Sequence, residues 1–191
     1  MPQYNLQFNQ PLEQIYKNGY LPQRNSPTFF YQESSCRSDL VNFKLSSENR
    51  RILRKTTSFT FTKVSLSDFN YTSEIQKQIK QWLRQLNWNF PINSVKTVFK
   101  QHLFNYVYVW QLNQRIVAYS ICYFSKSIAH IAYVFYDPEF SHSDLPIRLV
   151  LQVVIDSQQC GLKYCYLGRF SHYKRNMPGF ENFENNSWLK S

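Results

Sequence analysis

Tyr136, Asp137 and Glu139 lie close together in the sequence, on either side of Pro138. A carboxylate at the mouth of a cleft can take a proton from a nucleophile, directly or through a water molecule. These three residues therefore form the candidate catalytic group. Aspartate before proline is also a common turn former, which leaves Asp137 a structural alternative.

A dense positive cluster is formed by Arg50, Arg51, Arg54 and Lys55, and only Glu48 relieves it. Four cations this close repel one another unless an anion neutralises them. The cluster is therefore a candidate contact for phosphate groups or an acidic substrate. The alternative is an ordinary solvated helix face.

Tyr164 and Tyr166 alternate with Cys165, which places both rings on one face of a strand. They could stack on the terminal adenosine of a nucleic acid, and core packing explains them equally well. Gly168 could admit a ligand close to the backbone or mark a β-bulge. We include these three residues among the candidate binding residues.

Charge and glycine content narrow the possible functions. The chain has 191 residues, a formal net charge of +10 and four glycines, with none between Gly19 and Gly161. Neither G-x-x-x-x-G-K-[ST] nor G-x-G-x-x-G can be written in it, which excludes a phosphate site made of glycine backbone. The positive charge favours a nucleic acid or another acidic partner, and the alternative is a basic surface that only keeps the protein soluble.

The cysteines show no spacing typical of zinc ligands, so we predict no metal site and reduced thiols. No stretch approaches the ~20 apolar residues of a membrane span. The first 30 residues lack the basic and apolar regions of a secretory signal. We therefore expect a cytoplasmic monomer that does not engage a membrane.

Hydrophobic periodicity predicts the elements that must position these residues. Helices are expected over 47–56, 74–87, 93–102 and 144–160, with Ser46 or Ser47 capping the first and Ser73 the second. Strands are expected over 28–31, 40–45, 59–62, 103–112, 116–124, 128–136 and 163–169, followed by a polar tail. Hairpin-length joints make 103–136 an antiparallel meander.

The predicted class is α+β. A mixed sheet with an antiparallel meander, a long helix and a final strand forms a core over 64–191, and a small α/β segment over 1–63 packs on it. The element order resembles the GNAT acyltransferase fold. In that fold the strands before and after the long helix splay apart, and the cleft between them receives the acyl donor.

Several segments resemble the arginyl-tRNA–protein transferases and their bacterial leucyl-transferring relatives. Ser35-Cys36-Arg37 is similar to the family's Cys-Arg segment, and residues 46–55 are similar to its S-x-x-Q-R-R-x-L-R-R run, with Asn49 in place of Gln. Residues 135–140 resemble its Y-Y-D-P-[DE]-[YL], and residues 161–168 its G-L-x-Y-x-Y-L-G. Met177 and Phe183 follow at the family's spacing.

The resemblance implies that the chain transfers an amino acid, arginine or leucine, from aminoacyl-tRNA to the N-terminal α-amine of acceptor proteins, as in an N-degron pathway. The donor tRNA is a substrate, and no cofactor is expected. Family members carry several N-terminal cysteines that can hold a metal or cluster. Only Cys36 remains here, which implies that such a site is absent.

The start of the long helix departs from the family pattern. The family has a glycine there, whereas this chain has Ser143-Asp144-Leu145-Pro146. We assign Ser143 and Leu145 to the donor-binding set. An acyl-CoA-dependent GNAT N-acyltransferase is a second hypothesis, weakened by the missing glycine-rich turn. A non-catalytic tRNA-binding module is a third.

Overall fold

The computed structural model describes residues 3–5, 11–24, 28–100 and 102–190. The helices are α1 (Leu12–Lys17), α2 (Ser47–Lys55), α3 (Ser73–Gln85), α4 (Ile92–Lys100) and α5 (Leu145–Gln159). The strands are β1 (Gln3–Asn5), β2 (Tyr20–Pro22), β3 (Phe29–Gln32), β4 (Ser35–Asp39), β5 (Phe59–Ser65), β6 (Tyr106–Leu112), β7 (Arg115–Phe124), β8 (Ile128–Tyr136), β9 (Tyr164–Arg169), β10 (Phe180–Glu184) and β11 (Ser187–Lys190).

Eight of these strands form one sheet in the order β11-β10-β4-β9-β8-β7-β6-β5. The pairing of β8 with β9 is parallel, and the other pairings in this sheet are antiparallel. A parallel pair requires a crossover connection, which α5 provides. The strands β1, β3 and β2 form a separate small sheet. The predicted α+β class with a mixed sheet is confirmed.

The meander folds as its sequence indicates. The strand β8 occupies the predicted range 128–136, and β7 begins directly after the two-residue turn Asn113-Gln114. Both turn residues have positive φ, at 50° and 67°. This backbone twist is the one that suits a two-residue hairpin between right-twisted strands.

Helices cover both faces of the large sheet. Cys122 of β7 packs in a cluster with α5 and α2, whereas its neighbour Ile121 packs in a second cluster with α3 and α4. Because successive side chains in a strand point to opposite faces, the two helix pairs lie on opposite sides of the sheet. The strand β8 belongs to both layers, since Ile131 packs in the first cluster and Phe135 in the second.

Three local predictions were wrong. The predicted strand over 40–45 is a loop, and the chain is extended over 35–39 instead, as β4. Thr72 rather than Ser73 caps α3, since its side chain accepts the hydrogen bond from the Ile75 amide. The predicted polar tail forms a 3₁₀ turn (His172–Asn176) and the strands β10 and β11.

The N-terminal part of the chain contributes to the large sheet. The strand β4 lies between β10 and β9, and β5 forms the opposite edge. The predicted division between residues 63 and 64 falls within β5, which pairs with β6 over residues 59–65.

Candidate functional site

The site is a cleft between β8 and β9. These parallel strands pair only over residues 128–130 of β8 and 164–166 of β9. Beyond His130 the strands separate, and a cavity of about 320 Å³ opens between them. Backbone N–H and C=O groups on this side of β8 then face the cavity instead of a partner strand.

A β-bulge in β8 shapes the cavity wall. Ile131 pairs with Cys122, and Tyr133 pairs with Ile121, so Ala132 is an extra residue opposite β7. A bulge leaves the extra residue unpaired and bends the strand. Because Ala132 lines the cavity, this irregular backbone borders the space between the strands.

The interior of the cavity is mainly apolar. Ile131 and Val134 of β8, Val150 of α5, Leu167 of β9 and Leu21 of β2 contribute aliphatic side chains. The aromatic lining is Tyr31, Trp88, Phe90, Tyr133, Phe135 and Tyr173.

A second cavity of about 370 Å³ adjoins the first, and we refer to it as the mouth. It is lined by Arg24 and Arg169 and shares Tyr31 and Tyr133 with the inner cavity. The Arg24 guanidinium lies 4.5 Å from the centre of the Phe90 ring. Arg169 is paired with Glu33 at 2.5 Å.

Lys174 is a cavity residue that sequence reasoning missed. Its ammonium donates hydrogen bonds to the backbone carbonyl oxygens of Leu167 and Arg169, both at 2.6 Å. Burial lowers the pKa of this lysine from its ordinary value. The lysine thus fastens the 3₁₀ turn to the open end of β9. No pattern in the sequence distinguished it from the surface lysines.

Gly168 lies between these two carbonyls and also lines the cavity. Its φ is +78°, and the pairing of β4 with β9 is irregular beside it, because Cys36 pairs with Gly168 and Arg37 with Tyr166. Leu167 is therefore the extra residue of a bulge, and Gly168 lies next to it at the cavity wall. Close approach of a ligand to Gly168 stays a prediction.

His130 is buried at the base of the cleft. Its Nδ1 atom lies 2.8 Å from the Tyr16 hydroxyl, with which it forms a hydrogen bond. Burial, together with the nearby charge of Lys174, lowers the pKa of His130 to about 3. The ring is therefore neutral across the physiological pH range.

The first turn of α5 has few free N–H groups, although its N-cap residue, Asp144, makes no side-chain capping bond. The Ser143 hydroxyl accepts a hydrogen bond from the Leu145 amide at 3.1 Å, and Pro146 has no N–H to offer. Arg51 binds the Asp144 carboxylate through two hydrogen bonds of 2.8 and 2.9 Å. The Arg51 contact lowers the pKa of Asp144. A first turn that carries a carboxylate and lacks an N–H at Pro146 is a poor cradle for pyrophosphate.

The predicted binding residues of α2 differ in whether an ion pair neutralises them. Arg51 is neutralised by Asp144 and Glu48, whereas Arg50, Arg54 and Lys55 are exposed. Leu145 is fully buried in the core, so only its backbone belongs to the turn. The structure thus brings the basic helix α2 next to the start of α5.

The predicted catalytic residues lie at the end of β8. Arg115 forms ion pairs with Asp137 and with Glu139, the latter at 2.9 Å. The Asp137 side chain also accepts a hydrogen bond from the Glu139 amide at 3.0 Å, as expected for a turn former. Neither carboxylate lines the cavity. Their catalytic role stays a prediction.

Tyr136 is connected to the cavity through one neighbour. Its ring contacts Trp88 edge to face, with 5.8 Å between ring centres, and Trp88 lines the cavity. Burial raises the pKa of the Tyr136 hydroxyl.

Tyr164 and Tyr166 lie away from the cleft. They border a separate cavity of about 230 Å³ together with Arg37 and Trp188. Tyr166 is buried, and its ring centre lies 5.0 Å from that of Tyr16. The structure shows their packing contacts, and stacking on a nucleic acid base stays a prediction.

The described part of the chain contains no helix that is both long and apolar enough to cross a membrane.

Two solved structures are similar to this chain in fold. The C-terminal domain of an Agrobacterium fabrum protein assigned as a lysylphosphatidylglycerol synthetase aligns with a TM-score of 0.53 and 18% identity, over 71% of this chain and 46% of that one. The GCN5-related glucosamine N-acetyltransferase region of a fungal multi-domain β-N-acetylglucosaminidase aligns with a TM-score of 0.55 and 12% identity, over 78% of this chain and 19% of that one.

At these identities the likeness shows the fold alone, which is GNAT-like, and this chain spans less than half of either structure. A comparison with curated proteins finds no match. Residues 63–190 match the family described as arginine-tRNA-protein transferase, C terminus. This match includes the meander, α5, β9 and the C-terminal strands. The chain therefore belongs to the arginine-tRNA-protein transferase family.

Proposed function

We propose that this chain transfers an amino acid, arginine or leucine, from aminoacyl-tRNA to the N-terminal α-amine of acceptor proteins. The observation that carries the proposal is the cleft between β8 and β9, with a cationic mouth, in a chain of this family. The reaction would tag proteins in an N-degron-like pathway of the cytoplasm. In this proposal the chain acts as a monomer, the charged tRNA is the donor, and the reaction needs no cofactor.

The reaction needs little from side chains. The amine nitrogen attacks the ester carbonyl carbon, an amide bond forms, and the bond between that carbon and the ribose oxygen breaks. The amine loses a proton, and the ribose oxygen gains one. Because the ester is already activated, holding the amine against it can supply much of the rate. The unpaired backbone of β8 borders the space where the ester would lie.

The mouth of the cleft suits the 3′ end of a tRNA. Arg24 and Arg169 can approach phosphate oxygens, and Tyr31 and Tyr133 can contact the terminal base. The exposed cations of α2, Arg54 among them, would contact the acceptor stem.

Proton transfer is proposed for Asp137, Glu139 and Tyr136. The ion pairs with Arg115 keep both carboxylates at the end of β8. A proton would reach them from the amine through water, since neither lines the cavity. If Asp137 is the base, Asp137→Asn lowers the rate of transfer from saturating donor. Glu139→Gln is the matched variant, because Glu139 pairs with the same arginine, Arg115.

The decisive experiment supplies separately charged tRNAs and peptides of varied N-terminal residue, with mass spectrometry of the peptides. The proposal expects a mass increase that requires a charged tRNA. Transfer from acetyl-CoA, with tight acetyl-CoA binding by calorimetry, would identify an acyl-CoA enzyme instead. Equal binding of charged and uncharged tRNA, with no peptide modified, would identify a binding module.

A further inference from the structure

The charge of the cavity lining limits which aminoacyl group can enter. Lys174 and Arg169 line the cavity, whereas no aspartate or glutamate is among its lining residues. The segments outside the described ranges contain no aspartate or glutamate in their sequence either. Glu33 is already paired with Arg169, so a positive group that enters would meet the Lys174 ammonium and no carboxylate that lines the cavity.

An arginyl side chain fits this environment poorly. Its guanidinium stays protonated at all physiological pH values and is costly to bury without an anionic partner. An aromatic face can also hold a guanidinium. Arg24 already lies over the Phe90 ring, at 4.5 Å from its centre, and a contact with one of the other rings would not replace the anionic partner that a buried guanidinium needs.

An apolar side chain fits the same interior well. An apolar cavity of about 150 Å³ can hold benzene. The cavity between β8 and β9 measures about 320 Å³, and its inner wall includes Ile131, Val134 and Leu167. One aminoacyl side chain of about leucine size can therefore enter and replace water on these surfaces.

The cationic mouth sets the orientation of the donor. Arg24 and Arg169 line the mouth, where the phosphates of a tRNA 3′ end are attracted. With the nucleotide end at the mouth, the aminoacyl group points towards the apolar interior.

We propose that the cleft selects an uncharged, apolar aminoacyl group of about leucine size, excludes arginyl, and uses Val150 as the size limit. The selection rests on the proposed function. Val150 projects from α5 into the cavity and is only 2% exposed. Removing its two methyl groups enlarges the space against which the donor side chain packs. Val153 is a matched control, because it is fully buried on the same helix and does not line the cavity.

The test measures transfer from leucyl-, phenylalanyl- and arginyl-tRNA to one acceptor peptide, with each donor below saturation. The proposal expects leucyl transfer to exceed arginyl transfer by roughly 100-fold, because the pocket offers the guanidinium no charge partner. Val150→Ala should raise the phenylalanyl-to-leucyl ratio by about tenfold. Val153→Ala should leave this ratio unchanged.

Two results would overturn the inference while the proposed function stands. One is arginyl transfer equal to or faster than leucyl transfer. The other is an identical donor ratio for Val150→Ala and Val153→Ala, which would remove the size limit from Val150.

No transfer from any donor would contradict the proposed function, and a binding measurement then tests the cavity by itself. Stable 3′-amide analogues of leucyl- and arginyl-adenosine are titrated into the wild-type chain by calorimetry. Binding of the leucyl analogue at least about tenfold more tightly supports the selection, because the arginyl analogue must bury an unpaired charge. Equal binding, tighter arginyl binding or no binding of either analogue overturns it.

Discussion

The ion pair between Arg37 of β4 and Glu181 of β10 reports whether the C-terminal strand is docked in the sheet. Arg37 Nε lies 2.8 Å from the Glu181 carboxylate, and both side chains are 8% exposed. The Arg37 guanidinium also lies 3.8 Å from the Tyr164 ring centre and 4.1 Å from that of Trp188. The charge is therefore enclosed by β9 and β11 as well.

The perturbation is Glu181→Gln, which removes the negative partner at almost constant volume. Breaking a buried pair by removing one partner costs about 3–5 kcal/mol. We expect the lower end, about 3 kcal/mol, because glutamine can still accept a hydrogen bond from Arg37 and the aromatic rings stay in place. For a domain of this size that loss lowers Tm by roughly 6–12 °C. Glu184→Gln is the control, since Glu184 is exposed on the same strand.

The assay is equilibrium unfolding in urea at pH 7, with thermal unfolding as a second measurement. Glu184→Gln should change the free energy of unfolding by less than about 0.5 kcal/mol. Replacing both partners, as Arg37→Met with Glu181→Leu, should recover much of the loss. An effect of Glu181→Gln no larger than that of Glu184→Gln would refute a buried pair and the docking of β10 against β4.

Three further predictions concern the basic helix, the buried histidine and a close backbone contact. Replacing exposed Arg54 and Lys55 by glutamine should weaken tRNA binding and leave Tm unchanged. The slope of log K against log salt concentration should decrease by about 0.9 per lost phosphate contact. An unchanged slope would place the tRNA elsewhere. The pKa of His130 is about 3 in the folded chain, whereas the unfolded chain takes up this proton near the ordinary value. As the pH falls from 7 to 5, this difference should lower the unfolding free energy by about 2 kcal/mol. In urea unfolding, the His130→Gln variant should lose about 2 kcal/mol less than the wild-type chain over the same pH range. Gly179 and Gly161 both have positive φ. A Cβ atom on Gly179 would collide with the backbone carbonyl at the end of β4, whereas a Cβ atom on Gly161 would have no neighbouring atom within 4 Å. In equilibrium unfolding, Gly161→Ala should cost about 1 kcal/mol and Gly179→Ala at least about 3 kcal/mol; equal costs would contradict the close contact.

Local patterns predicted most of the core. The alternation over 128–136 and the periodicity over 144–160 correspond to β8 and α5 to within a residue at each end. The run after Ser46 predicted α2, and the structure adds a capping box in which Asn49 takes the reciprocal position. Such signals are readable because capping and amphipathic spacing act over a few residues.

The C-terminal segment could not be predicted in the same way. Its strand β10 is short, and its pairing with β4 joins residues about 140 positions apart, as in the Arg37–Glu181 bond. No local periodicity specifies such a partner, so polar residues such as Glu181 suggested a tail. In the folded chain that glutamate is buried beside its arginine.

The sequence by itself determined the class of fold, the order of the core elements, the positive charge and the absence of a glycine-based phosphate site. These properties depend on composition and on spacing within a single element. Only the tertiary structure decided that Arg51 neutralises Asp144, that Arg115 holds Asp137 and Glu139, and that Lys174 borders the cleft. Each of these contacts joins different elements, and the energy of a charge depends on the partner and the burial that folding gives it.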